Sequence, residues 1–379
     1  MEIVSAKART VLGLFSGAGG LDLGFEQAGF GHVGAVEIEP WCVRTLRLNR
    51  PMWNVTEGDV NAYEPDFDFA PDVLLAGVPC QGFSLGGNRD PGDARNLLYK
   101  QVVRVASTLR PRVVVVENVL NLRTMRVPGG DFSFIQAISR ELTEIGYSVQ
   151  HGIFRVSEFG VPQTRRRLLF VAFRGGFPIG YHFPTPEVET TIRPFLYDLA
   201  QSETARLPNH KPAWGFKSAV HLETGEPFDA AEEVVPVRFS RTASDGHPVR
   251  TFDAPFPAVD TATVWGWAQG NVQANRIEKD RGNGKFIRNP DSEVSLWRIS
   301  ASRLRTFTDR EYARLQTFPD DWVFEGGNKR DIHLQIGNAV PVAFACRIAQ
   351  NIQLALESID EHKSFVGDHS QFSQSLLFA

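Results

Sequence analysis

Apolar runs and helical repeats alternate through roughly the first 175 residues. Short continuous apolar runs at Val11–Phe15, Val33–Ile38, Val73–Val78, Val113–Val116, Val149–Phe154 and Leu168–Phe173 read as buried strands. Between them Leu21–Ala28, Pro40–Leu48, Leu97–Leu109 and Phe132–Glu144 read as helices. The alternation predicts an α/β fold, a parallel sheet flanked by helices. After Gly175-Gly176 the pattern dissolves, and residues 176–300, rich in Pro, Gly, Thr and Trp, predict a smaller irregular, mostly β domain. In that region Trp265 and Trp267 are spaced for one face of a strand and predict core positions. Helical periodicity returns at Thr308–Leu315, and an amphipathic helix is predicted over Val342–Leu356. The organisation expected is therefore 1–175, 176–300, a last ordered segment 301–357, and a polar, serine-rich flexible tail 358–379.

Composition narrows the class. A chain of 379 residues exceeds the usual single core, so two domains are expected. The net charge of −4 excludes a uniformly basic surface, but not a local basic patch of the kind that binds phosphate backbones. Cys42, Cys80 and Cys346 are too few and too scattered for a disulfide framework or a thiolate zinc site, and a reducing cytosol fits them best. No metal is expected. No signal peptide is visible at the start, and no run approaches the ~20 apolar residues of a membrane helix.

The chemistry concentrates where strands end. Val73–Val78 is cut short by Pro79, which has no N–H for a sheet ladder, and the next residue is the thiol of Cys80. Ligands of open α/β sheets bind at that carboxyl edge, and a thiolate is a strong nucleophile. The valine run Val113–Val116 ends in Glu117, which would point into the same crevice, where burial would raise its pKa. The first strand enters the glycine turn Phe15-Ser16-Gly17-Ala18-Gly19-Gly20, and Glu37 follows at the end of the next strand, placed to hold ribose hydroxyls. Asp59, after a third strand region, could hold an adenine edge. The turn does not fit Gly-x-Gly-x-x-Gly, which favours a nucleoside without a pyrophosphate. Further on, strand alternation puts Gln163, Arg165 and Arg167 on one side and Arg166 on the other, and a spaced arginine pair suits anions or carbonyl oxygens.

With Pro79-Cys80-Gln81, Glu117-Asn118-Val119 and Gln163-x-Arg165-x-Arg167 in this order, the chain resembles the DNA (cytosine-5) methyltransferases. Arg305-Thr306-Phe307-Thr308 through Phe318-Pro319-Asp320 looks like a ninth block of that family, and Gln335–Pro341 like its tenth. The resemblance covers about 9–175 and 300–357; in between there is only the faint trace Asp253–Val259. It implies a Rossmann-like, S-adenosylmethionine-dependent methyltransferase domain, a target-recognition domain over 176–300, and a return segment that completes the catalytic domain. The cofactor is then expected over Phe15, Gly17, Ala18, Gly19, Glu37, Ile38, Asp59, Val60 and Pro79, with Asn338, Ala339 and Val340 closing the wall. Asn338 is also placed to cap the Val342 helix. Cys80 is expected to attack C6 of a flipped cytosine, Glu117 to act at N3, and Arg165 and Arg167 to bond O2 or a phosphate and orient Glu117.

The long loop from Gly82 to Asn96 is expected to close over the DNA, with Arg89 and Arg95 on phosphates and Gln81, Ser84 and Gln163 beside them. Arg281 and Lys285 belong to a basic stretch suited to phosphate or base contacts in the recognition region. The expected partner is double-stranded DNA, the setting a restriction or defence system in the bacterial cytoplasm, and the form a monomer. Two alternatives stand beside this: a tRNA cytosine methyltransferase on the same scaffold, against which the ~125-residue recognition region argues, and an inert cofactor- and DNA-binding protein, against which Cys80 and Glu117 argue.

Overall fold

The computed structural model describes residues 8–79, 94–127, 132–178, 181–201, 206–212, 219–221, 228–239, 252–261, 263–277, 296–300 and 303–368. Strands β1 (Thr10–Leu14), β2 (Gly31–Glu37), β3 (Val55–Glu57), β4 (Val73–Gly77), β5 (Val113–Val119), β6 (Tyr147–Arg155) and β7 (Arg166–Arg174) form a seven-stranded sheet in the order β3-β2-β1-β4-β5-β7-β6. Helices α1 (Gly20–Gln27), α2 (Pro40–Asn49), α3 (Tyr99–Leu109) and α4 (Phe134–Glu144) lie between these strands in the chain. The pairs from β3 to β5 are parallel, whereas β7 runs antiparallel to both β5 and β6. This is the doubly wound order 3-2-1-4-5-6 with one antiparallel strand inserted before the last. Its switch point, where successive crossovers diverge, lies at β1 and β4.

The local reasons are legible. The core residues of β4 and β5, Val73–Ala76 and Val113–Val116, are buried on both faces, as continuous apolar runs require. Ser133 opens α4 with a capping box, its hydroxyl accepting from Gln136 N and the Gln136 side chain accepting from Ser133 N.

The middle region is more regular than its composition predicts. After α5 (Arg193–Gln201), strands β8 (Ala219–His221), β9 (Phe228–Phe239), β10 (Val264–Ile277), β11 (Leu296–Ser300) and β12 (Arg303–Thr306) join in a second sheet. All its pairings are antiparallel. Trp265 and Trp267 are core residues, as their spacing predicts. Phe252 stacks on Trp267 at 5.4 Å between centroids, and Trp267 Nε1 donates to Glu311 Oε1 at 2.8 Å. Because β12 pairs with β10, the chain leaves this sheet after the expected limit at residue 300.

Helices α6 (Asp309–Leu315), α7 (Lys329–Asn338) and α8 (Val342–Asp368) complete the chain. The last helix corrects the expectation of a flexible tail from 358, since it continues to Asp368. Asp360 accounts for part of this, pairing with Arg9 at 3.0 Å and Arg112 at 2.6 Å. By length and composition the helical stretch Lys329–Glu361 would also pass as a membrane span, contrary to expectation; 61% of its apolar window is buried inside the protein. Val342, Phe344, Ala345, Ile348, Ala349, Ile352 and Leu356 are buried and repeat at helical spacing, so the apolarity is that of a core helix. It packs closely on α1, where a methyl group on Gly24 would overlap Ala345 Cβ.

Candidate active site

The carboxyl ends of β1, β2, β3 and β4 are knit together by a few polar contacts. After β1 the chain turns sharply, with Phe15, Gly17 and Gly19 all at positive φ. Only glycine adopts this region without steric cost, so Phe15 at φ 55 is a strained residue held in place by the turn. Glu37, at the end of β2, takes hold of that turn: Gly17 N donates to Glu37 Oε2 at 2.6 Å, and Glu39 N to Glu37 Oε1 at 2.8 Å. Burial pushes the Glu37 carboxyl above its ordinary range, while the N–H donors of Glu39, Gly17 and Ile38 pull it back. Gly58 N donates to Glu37 O at 2.9 Å, bringing in the segment after β3.

Space for a ligand lies in front of these groups. A methyl group added at Gly17 or Gly58 would meet no atom within 4 Å. Ile38 is 62% exposed directly beside buried Glu37, an apolar surface presented at the strand edge. Val60 is buried, and Asp59 is exposed with its Oδ1 accepting from Asn61 N and Nδ2 at 2.9 Å each. The return segment closes the back: a methyl group on Gly20 would overlap Val340 O and lie 3.4 Å from Ala339 Cβ. Ala18, Ala339 and Val340 are buried and Asn338 is exposed. Asn338 is the last residue of α7, so the expectation that it caps α8 is corrected. An apolar shelf, an acidic group at the strand end and glycine backbone suit a nucleoside, and these residues fit the S-adenosylmethionine expected from sequence.

The second group of residues stands at β4, β5 and β7. Glu117 pairs in register with Gly77 of β4 and with Leu169 of β7. Two residues, Val78 and half-buried Pro79, separate Gly77 from Cys80 in the chain. Arg167 Nε lies 2.6 Å from Glu117 Oε1, and both side chains are 9% exposed. Burial pushes the Glu117 carboxyl up, and the Arg167 cation opposes the shift. A carboxyl group whose pKa is raised in this way is better able to hold or share a proton.

The two other members of the alternating triplet do something else. Arg165 Nη1 donates to Val259 O at 2.9 Å and to Gly337 O at 2.7 Å. It thus ties the entry to β7 to the faint 253–259 trace and to the C-terminal end of α7, where free carbonyls favour a cation. Gln163, expected at the DNA, is completely buried. Its Nε2 donates to Leu315 O and Gln316 Oε1, and its Oε1 accepts from Val259 N. With its amide engaged on both sides, Gln163 is a brace between segments, which corrects the expected DNA contact. Arg166 is exposed, as strand alternation predicts.

Sequence reasoning placed Gln316 and Gln335 in the two late blocks but gave neither a role. Gln316 Nε2 donates to Ile336 O at 2.7 Å, and Thr45 Oγ1 of α2 donates to Gln335 Oε1 at 2.7 Å, so α7 is held from both sides of the site. No periodicity marks these residues; only the Asn328–Asp331 capping box announces α7 in the sequence. Cys80, Gln81, Ser84, Arg89, Arg281 and Lys285 lie outside the described residues. Arg95 falls in the 3-10 turn Ala94–Leu97.

Known proteins match the chain over most of its length. A family model described as C-5 cytosine-specific DNA methylase matches residues 9–354. The chain belongs to that family. As a C-5 cytosine-specific DNA methylase it is an enzyme, a DNA cytosine methyltransferase, and DNA is its substrate. The Type II methyltransferase M.NgoMIV of Neisseria gonorrhoeae is 33% identical over 356 residues, covering 92% of this chain and 98% of that protein. M.Eco47II of Escherichia coli is 31% identical over 369 residues, covering 94% and 82%. Among solved structures, a putative DNA modification methyltransferase encoded within an E. coli prophage superposes with a TM-score of 0.59 at 22% identity, covering 92% of this methylase and 100% of that chain. A Spodoptera frugiperda DNMT2 mutant gives 0.57 at 16% identity, covering 92% and 100%. At these identities the two structures establish the methyltransferase fold.

Proposed function

We propose that this methylase transfers a methyl group from S-adenosylmethionine to C5 of a flipped cytosine in a specific duplex sequence, through a covalent adduct of Cys80 at C6. The observation that carries the reading is the register of Glu117 with Gly77, which sets the carboxyl group beside the strand end that leads into Pro79-Cys80. A base stacked in a duplex is beyond the reach of such groups, so it must leave the stack, at a cost of a few kcal/mol.

The chemistry assigned to the chain's own residues balances without a metal. The Cys80 thiolate adds to C6, forming the S–C6 bond and pushing electron density towards C5 and N3. Glu117, whose pKa burial raises, donates a proton at N3 as charge develops there and takes it back once C5 is methylated, and Arg167 holds its carboxyl in place. S-adenosylmethionine, when bound, supplies an electrophilic methyl group on a sulfonium centre. Glu37, Ile38, Asp59 and the turn Phe15–Gly19 would hold its nucleoside part, with Ala339 and Val340 behind. Once C5 carries the methyl group, a base, for which water suffices, removes the C5 proton; the S–C6 bond breaks and Cys80 leaves as thiolate. The segment 82–96 closes over the DNA in this reading, with Arg89 and Arg95 on phosphates, and Arg281 and Lys285 contribute from the recognition region. We further infer that the enzyme works as a monomer in the bacterial cytoplasm and, in keeping with the Type II names of its relatives, protects host DNA beside a restriction or defence protein.

Bisulfite sequencing of plasmid DNA from a host lacking other cytosine-5 methylation gives the modified base and its sequence context together. Duplex bearing 5-fluorocytosine at that position should then trap a denaturation-resistant adduct in the wild type and none in Cys80→Ala. An active enzyme that forms no adduct would rule out the covalent route, and label transferred from the cofactor to tRNA but not to duplex would rule out the substrate.

A further inference from the structure

Beneath the cofactor turn lies a buried ionisable pair that the reaction does not use. Asp22, in the first turn of α1, and His32, on β2, have side chains only 1% exposed, with His32 Nε2 2.9 Å from Asp22 Oδ1. A carboxylate can only accept, so the imidazole proton in this contact sits on Nε2. The same Oδ1 accepts from Ser16 Oγ at 3.3 Å, and Ser16 is the residue between strained Phe15 and Gly17 of the turn.

The pair is packed from below and hemmed in from the side. The His32 ring stacks on Trp53 at 3.9 Å with an interplanar angle of 10°. Trp53 Nε1 donates to Glu26 Oε1 at 3.0 Å, and Arg50 clamps Glu26 at 2.6 Å. On the other side, a methyl group on Gly13 would overlap Asp22 Oδ1. His32 Nδ1 is buried without a hydrogen-bond partner, so the polar contact of the imidazole is the one to the Asp22 oxygen that also accepts from Ser16. Burying a carboxylate and an imidazole in this way is costly unless the pair supplies something that an apolar filling would not.

We propose that Asp22 and His32 are positioning residues for the cofactor turn. His32 orients the Asp22 carboxylate, the carboxylate holds Ser16 Oγ, and the turn is thereby fixed with Gly17 N on Glu37 before ligand arrives. Such pre-organisation acts on cofactor affinity and leaves the chemical step to Cys80 and Glu117. The proposal rests on the reading of this turn as the S-adenosylmethionine site.

Calorimetric titration of the full-length enzyme with S-adenosylmethionine and with S-adenosylhomocysteine tests it, alongside thermal melts and steady-state kinetics. Ser16→Ala and His32→Leu should each weaken binding of both ligands by roughly tenfold, the scale of one charge-assisted hydrogen bond. KM for the cofactor should rise in parallel, with kcat at saturation changed less than about threefold. His32→Gln, whose side-chain N–H can reach the same oxygen, should recover most of the affinity. A merely structural pair would lower the melting temperature of His32→Leu and leave ligand affinity intact, and that result would overturn the proposal. Unchanged affinity in Ser16→Ala would overturn it even if His32→Leu does not fold. Glu37→Gln is the separate control on the site itself: if it binds both ligands like the wild type, the turn is not the cofactor site, and the reading beneath the proposal fails instead.

Discussion

Glu117 and Arg167 show what a single pair of residues contributes. Four valines carry a carboxyl group to the edge of the sheet, where water no longer solvates it fully, and the guanidinium 2.6 Å away prevents it from being stranded. The balance leaves its pKa raised, which suits the proton donor at N3 that we propose. Glu117→Gln keeps the shape and a hydrogen-bond donor but loses the acid. Its kcat should fall about 10²–10⁴-fold, the range of general acid catalysis, with cofactor and DNA binding retained; single-turnover methyl transfer and a mobility-shift titration measure the two separately. Arg165 and Gln163 were legible from sequence only as members of one alternating face. Which partner each meets depends on segments far along the chain: Val259, Gly337 and Gln316.

At the scale of elements, the strands and helices of the large sheet follow from their periods, because each buries one stripe or two faces of uniform polarity. α7 escaped notice because its buried residues, Gln335, Ile336 and Gly337, include a single aliphatic side chain. The second sheet looked irregular because its strands differ greatly in length and mix Trp, Gly and Pro with polar residues. At the start of α6, Asp309 is partly buried and its pKa is pushed up to about 6 by burial, with Lys329 opposing. A carboxyl group whose folded pKa lies above its ordinary 3.8 favours the native state when protonated, and that contribution is lost as pH rises through about 6. Asp309→Asn should therefore melt higher than the wild type above pH 6 and lose its advantage below about pH 4. Thermal melts across that window measure the crossover.

For the whole molecule, the decisive feature is that the chain comes back. One face of the large sheet is covered by α1 and by α8, whose Phe344, Ile348, Ile352 and Leu356 share a core with Val11, Val73, Val113 and Val171. At roughly 1.5–3 kcal/mol for each large apolar side chain buried, losing this cover would cost about as much as the whole stability of an ordinary domain. A fragment ending at residue 178 should therefore show no cooperative melting transition, and co-expression with residues 303–368 should restore one; circular dichroism of the purified material distinguishes the two. The expected limits at 175 and 300 mark changes of composition along the chain, and the folded unit crosses both.

The order of strands and helices in the large sheet, the turn at Phe15–Gly20, and Glu37 and Glu117 as the groups at strand ends were already determined by the linear sequence, because periodicity and chain breakers act locally. Only the tertiary structure decided that Arg167 rather than Arg165 meets Glu117, that Gln163 faces inward, that Asp22 and His32 sit under the Phe15–Gly19 turn, and that the last helix runs on to Asp368. Each of these depends on which distant segment supplies the partner across a gap of a few ångströms, and a one-dimensional pattern of polarity names the face that is buried without naming what buries it.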